Sequence, residues 1–137
     1  MQSINSHAVN ALCSVKVEKL PVLTDMEVQK LGETLDGYAE YFKAAIKYKE
    51  CELWSINGGE SYCITRLEVD KIKNRTTVAV CCYKGKNLEA FVNHLISICD
   101  ANGFYIRFHT VHKSLTRWMQ RKFKFKPFEF VNHREPI

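Results

Sequence analysis

Between Arg75 and Phe108 the chain reads as a strand, a turn, a helix and a second strand, an order that constrains the fold more than any other stretch. Thr76–Tyr83 (TTVAVCCY) is β-branched and apolar over the length of a single strand. Lys84-Gly85-Lys86-Asn87 breaks it. Apolar residues then recur at Leu88, Phe91, Val92, Leu95, Ile96 and Cys99, the spacing that builds one face of an α-helix. Asn102-Gly103 supplies residues that tolerate a left-handed backbone where a helix ends. Phe104–Thr110 alternates, with Phe104, Ile106 and Phe108 on one side and Tyr105, Arg107 and His109 on the other. A helical crossover of this length joins two parallel strands. The backbone N–H groups that open such a helix have no partner within it and can hold a phosphate.

With 137 residues, of which 46% are apolar, the chain suits one domain, expected over residues 12–137 behind an N-terminal arm at 1–11. No run of about 18 apolar residues is present, so no membrane partner is expected. MQSINSHAVN lacks the basic-then-apolar pattern of a secretory leader, and the expected location is cytoplasmic. Six cysteines (Cys13, Cys51, Cys63, Cys81, Cys82 and Cys99) form no C-x-x-C pair and fall within apolar patterns. Cys81 and Cys82, being adjacent in a strand, are expected on opposite faces. The reading is buried free thiols in a reducing compartment, with no metal and no disulfide.

The net charge of +5 is local: His112–Lys126 holds Lys113, Arg117, Arg121, Lys122, Lys124 and Lys126 and none of the 15 acidic residues. Lys113, Arg117, Arg121 and Lys124 are three or four residues apart and form a basic stripe opposite Leu115, Trp118 and Met119 on a helix expected over Lys113–Phe123. A merely solvated face is the default reading of that surface; otherwise it could meet an acidic protein, a phosphate-bearing cofactor or nucleic acid, the last being the least favoured partner.

Upstream, Leu12–Leu20 reads as a strand stopped by Pro21. Asp25–Tyr48 is mostly helical behind the capping residues Thr24 and Asp25, and is divided by Gly32 and Gly37. Tyr38, Tyr41, Phe42, Ala45 and Ile46 form the expected buried stripe of its second part. Cys51–Ile56 and Ser61–Val69 are strands about the turn Asn57-Gly58-Gly59, with Tyr62, Ile64 and Arg66 on one face and Cys63, Thr65 and Leu67 on the other. A last strand is expected near Phe128–Asn132, and the lysines of KFKFKPFEF suit a sheet edge. The fold class is therefore α+β, with a mixed, largely antiparallel sheet and helices on both faces.

This element order, together with YKGKNLEAFVNHLISICDANGFYIRFHT and SLTRWMQRKFKFKPFEF, resembles the GCN5-related N-acetyltransferases over Leu12–Asn132. Members of that family usually place an Arg/Gln-x-x-Gly-x-Gly/Ala turn at the strand-to-helix junction, where it holds the pyrophosphate of acetyl-CoA. The resemblance puts Lys84 at the basic position, Asn87 at the first glycine and Glu89 at the second. Lysine is a cation without the planar fork of arginine. Asn87 is suited to cap the helix. A carboxylate at Glu89 stabilises a free helix start by the same field that would otherwise favour phosphate. The bare alternative is a simple strand-to-helix turn. The family's last crossover often carries an asparagine, a tyrosine seven positions on and then a Gly-Phe pair. Aligning Lys124-Phe125 on that pair places Gln120 where the tyrosine would protonate the departing thiolate, and Lys113 at the asparagine. A glutamine amide is no acid near neutral pH.

Two functions follow from the resemblance. In one, the chain is a degenerate member that lacks acetyl transfer and binds protein partners, similar to the small acetyltransferase-like proteins of tailed phages that serve in the virion or its assembly. It would then reside in the virion or the host cytoplasm and need no cofactor. In the other, it is a divergent N-acetyltransferase acting on a primary amine, with acetyl-CoA held by Lys84, Gly85, Lys86, Asn87 and Leu88. No catalytic residue is assigned; Glu68, Asp70 and His109 are carboxylates and an imidazole at strand ends that could serve as a base. His109 and His112 have the spacing of a metal pair but no third ligand at helix spacing. Ser55, Ser61, Ser97 and Ser114 lie in no nucleophile-elbow context.

Overall fold

A computed structural model describes residues 15–109, 113–128 and 131–136, with side chains at 15–108, 117–125 and 134–136. Its elements in chain order are β1 (Val17–Leu20), α1 (Asp25–Leu31), a 3-10 turn (Gly32–Leu35), α2 (Ala39–Lys47), β2 (Glu52–Ile56), β3 (Ser61–Asp70), β4 (Arg75–Gly85), α3 (Leu88–Asn102), β5 (Tyr105–His109), α4 (Lys113–Phe123), β6 (Lys126–Phe128) and β7 (Val131–Arg134). The seven strands form one sheet in the order β1-β2-β3-β4-β5-β7-β6. Every neighbouring pair is antiparallel except β4 and β5, which the α3 crossover makes parallel.

Each face of the sheet has its own core. Phe91, Val92, Leu95 and Cys99 of α3 and Met119 and Phe123 of α4 pack on Trp54, Cys63, Val78, Val80, Ile106 and Phe108. On the other face Leu31, Leu35, Ala45 and Ile46 pack on Leu53, Tyr62, Ile64 and Cys82. The alternation expected for β3 is seen here, with Tyr62 and Ile64 in one cluster and Cys63 in the other. The indole N–H of Trp54 donates to Thr65 Oγ1 at 2.8 Å, which satisfies the polar atom of a buried ring.

Local chemistry accounts for the element ends. Gly103 closes α3 at φ 70°, with its N–H bonded to the Asp100 carbonyl. Gly32 and Gly37 both take positive φ and break the helical run where expected. Thr24 is the N-cap of α1, but its hydroxyl donates to the buried Glu27 carboxylate and not to the helix backbone.

Several expectations are corrected. In α2 only Ala45 and Ile46 are buried. Tyr38 and Tyr41 are 60% and 42% exposed, and the Tyr41 hydroxyl accepts from Arg66 at 3.2 Å. In α3, Ile98 is buried and Ile96 only half-buried, because the packing stripe of a straight helix drifts across its face. The single last strand is two, β6 and β7, paired antiparallel, with β6 at the sheet edge. Lys124 lies beyond α4 at φ 60°, off the helical stripe. It forms a left-handed C-cap that lets the Phe125 N–H bond the Met119 carbonyl at 3.4 Å. The arm at 1–11, the start of the first expected strand (Leu12–Ser14), His112 and the side chains of Lys113 and Leu115 lie outside the described residues.

Candidate ligand cleft at the β4–α3 junction

The register of β4 changes partway along it. Against β3, Cys82 faces Ile64 and Val80 faces Thr65, so Cys81 is an extra residue, a β-bulge. The bulge reverses the alternation of faces. Val78 and Val80 point to the α3 side, whereas Cys81 and Cys82 both pack on the α1–α2 side. The expectation that the two cysteines oppose each other is thereby corrected. The bulge also marks the limit of the parallel ladder: β5 pairs with β4 only from Thr77↔Tyr105 to Val80↔Phe108. Beyond it, among the described residues, β4 runs on to Gly85 against β3 alone, and an unpaired edge leads to the start of α3.

At that start the chain is held tightly to β3. Gly85, at φ +123°, pairs with Ser61 so closely that a Cβ would lie 2.5 Å from the Glu60 carbonyl oxygen. The hydroxyls of Ser61 and Tyr83 both donate to the Lys86 carbonyl. Burial pushes the Tyr83 phenol up to about 12, so it stays protonated and keeps that bond. Asn87 occupies the N-cap in the left-handed region, as its side chain tolerates. It makes no side-chain cap: its Nδ2 donates to Glu60 Oε2 at 2.8 Å. Glu89, in the first turn of α3, forms an ion pair with Lys122 of α4.

The loop residues singled out in the sequence are thus brought together, with Lys84, Gly85 and Lys86 exposed and Asn87 and Leu88 half-buried. Of the residues that share this junction, Glu60 carries no sequence signal, and only the packing of β3 and α4 assigns Ser61 and Lys122 to it. The candidate bases lie elsewhere. Glu68 faces Thr77 and Asp70 faces Arg75, whereas Ser61 faces Gly85. At about 3.3 Å per residue, the eight-residue run from Thr77 to Gly85 separates them by roughly 26 Å. Glu68 is paired with Arg107, and Asp70 accepts from the N–H groups of Ile72 and Lys73 at 3.0 and 3.1 Å. They line an open groove of about 530 Å³ with Arg75, Thr77 and Arg107, at the far end of the ladder. His109 is described by its backbone alone. Arg117, Arg121 and Lys124 are exposed, as a basic surface requires. Among the described residues no three His, Cys, Asp or Glu side chains converge as metal ligands.

Comparison with solved structures places this architecture. The AtaT Y144F mutant toxin, bound to the C-terminus of the antitoxin AtaR and acetyl-CoA, superposes with a TM-score of 0.61 at 12% identity over 88% of this chain and 92% of that one. Arabidopsis thaliana Naa50, in complex with the bisubstrate analogue CoA-Ac-MVNAL, gives 0.55 at 14% identity over 89% and 99%. The fold is that of the GCN5-related N-acetyltransferases. No protein-family model matches the chain, and no curated protein sequence does. At the start of α3 this chain carries two carboxylates, Glu60 and Glu89.

Proposed function

We propose that the chain is an acetyltransferase-fold binding module that does not transfer acetyl groups and works through protein partners. The observation that supports this most is the pairing of Glu89 with Lys122 across the first turn of α3. A carboxylate there uses the helix-terminal field that an anion would need, and its lysine holds it in place. Glu60 adds a second negative charge on the other flank, tied to Asn87. The residues present do not fit a diphosphate. Exposed Arg117 and Arg121 on α4 suit an acidic protein surface. The toxin neighbour binds an antitoxin segment, which supports a protein partner for this fold. We extend the reading, on the resemblance to small tailed-phage proteins, to a virion or assembly component located in the particle or the host cytoplasm.

Calorimetric titration with acetyl-CoA tests the core of this reading. Wild-type protein gives no heat at millimolar ligand, whereas Glu89→Gly gains measurable binding. Micromolar binding by the wild type overturns it.

A second reading, a divergent N-acetyltransferase acting on a primary amine, draws on one observation: the Asn87 side chain bonds Glu60 instead of the helix, so the first N–H groups of α3 have no side-chain cap from it. Under it, wild-type affinity is micromolar and is abolished by Lys84→Glu with Lys86→Glu.

A further inference from the structure

The β3–β4 hairpin runs past its neighbours in the sheet. β2 pairs with β3 only as far as Glu52↔Thr65, whereas β3 continues to Asp70 against β4. The chain ahead of β2 does not extend that ladder, because the N–H groups of Glu50 and Cys51 both bond the Ala45 carbonyl and hold it against α2. Among the described residues, the side of Arg66–Asp70 away from β4 therefore has no strand partner. At about 3.3 Å per residue this free edge is roughly 16 Å long. Side chains alternate along it. Leu67 faces Val78 and Val69 faces Thr76 on the α3 side, and the two are 46% and 62% exposed. Arg66, Glu68 and Asp70 lie on the opposite face.

The outer edges of the sheet carry devices that discourage pairing with another chain. β1 is four residues long with Glu18 and Lys19 exposed, and β6 is three residues long and contains Lys126-Pro127. The free edge of β3 has neither lysine nor proline, and the bulge is on β4. We propose that this edge is a contact between two copies of the chain: the Arg66–Asp70 segments pair antiparallel about a twofold axis through Glu68, joining two seven-stranded sheets into one.

The register follows from the side chains. A twofold axis perpendicular to the sheet keeps each face on its own side, so even-numbered residues meet even and odd meet odd. Centred on Glu68, it sets Arg66 opposite Asp70 of the second copy and Leu67 opposite its Val69, each twice. Opposite charges then meet on one face and apolar groups cover each other on the other, with Cβ atoms about 5 Å apart. Arg66 uses one guanidinium nitrogen for Tyr41, and both turn bonds to Asp70 end on Oδ1, so Oδ2 is open to the guanidinium. Glu68 alone meets its own kind, and each carboxylate is paired with Arg107 of its own chain. The adjacent registers are worse. An axis through Leu67 drives Val69 of the second copy into the place opposite Thr65 that Glu52 fills, whereas in the Glu68 register β3 ends at Asp70, short of it. An axis through Val69 sets Glu68 against Asp70 twice.

Sedimentation velocity of the full chain over a rising concentration series tests the proposal. Five paired residues per copy make a small interface, so wild type is expected to dimerise with a Kd on the order of 100 μM. Val69→Lys, at an exposed position, leaves the fold intact by circular dichroism and weakens association about 10-fold. Arg66→Glu and Asp70→Lys each set like charges opposite one another twice, and each alone stays monomeric. Mixed in equal amounts they form a heterodimer, since every charged pair is then opposite in sign. Wild type that remains monomeric across the series overturns the proposal and leaves the edge to a different chain. Dimerisation unchanged by Val69→Lys overturns it too, as does a mixture of the two charge variants, both folded, that associates no more than either alone.

Discussion

Replacing Gly85 by alanine isolates the cost of the tight junction between β4 and β3. The residue sits at φ +123°, and an added Cβ would lie 2.5 Å from the Glu60 carbonyl oxygen, 2.7 Å from Ser61 Oγ and 2.8 Å from Ser61 Cα. Two of those three atoms are backbone of the strand partner, which cannot swing aside without opening the ladder. The dihedral strain costs about 2 kcal/mol. Forced displacement of packed neighbours adds about 2 kcal/mol. Gly103→Ala is the matched control, since Gly103 also has positive φ (+70°) but its Cβ would meet nothing within 4 Å. Its cost is the conformational part alone, about 1 kcal/mol. For a chain of this size each kcal/mol lowers Tm by ~3 °C, so the variants should melt roughly 12 and 3 °C below wild type. Urea titration followed by circular dichroism gives the free energies directly. A Gly85→Ala loss no larger than that of Gly103→Ala would refute the claim that backbone contact with β3 dictates this glycine.

Arg134 is 5% exposed and donates to both oxygens of Asp100 (2.6 and 3.1 Å) and to the Phe123 carbonyl (3.0 Å), tying β7 to α3 and the end of α4. Arg134→Met is expected to destabilise by about 3 kcal/mol in urea titration, the usual cost of stripping one partner from a buried ion pair. The Nδ1 atom of His94 is buried without a hydrogen-bond partner among the described residues, and burial lowers this imidazole from its usual 6.5. The unfolded chain therefore binds a proton at this site before the folded one does. Its contribution is complete above pH 6.5 and is lost as pH falls through 6.5 toward the folded value. The wild-type minus His94→Leu difference in stability should be flat above that pH and slope downward below it, and a difference flat throughout would contradict the burial argument.

How much of this was legible in the sequence depends on how far apart the deciding residues lie. The strand-turn-helix-strand unit was readable because its periodicities are local: Phe91, Val92, Leu95 and Cys99 bury as their spacing implies, and Gly103 ends the helix. The amphipathic spacing of Tyr38 and Tyr41 misled, because α2 presents only part of its apolar face to the sheet and a tyrosine hydroxyl can remain at the rim, as Tyr41 does with Arg66. Lys84 to Leu88 were legible as a junction; the partners that set its charge were not. Glu60 immediately precedes β3 and Lys122 lies on α4; Lys122 stood out only as one of a basic run, and nothing local assigns either residue to the start of α3. The residues beside Glu68 and Asp70 likewise became interpretable only once the β3–β4 register showed them at the opposite end from Gly85.

The bulge was invisible for a different reason. TTVAVCCY reads as uninterrupted strand, since one extra residue alters neither propensity nor composition, and period-two reasoning then sends Cys81 and Cys82 to opposite faces. Inserting that residue has two consequences at one place: Cys81 joins Cys51 on the α1–α2 side, and the β4 backbone leaves its parallel partner after Val80. The side on which Cys81 packs and the end of the parallel ladder are therefore set by the same inserted residue, a long-range consequence that no local pattern in TTVAVCCY carries.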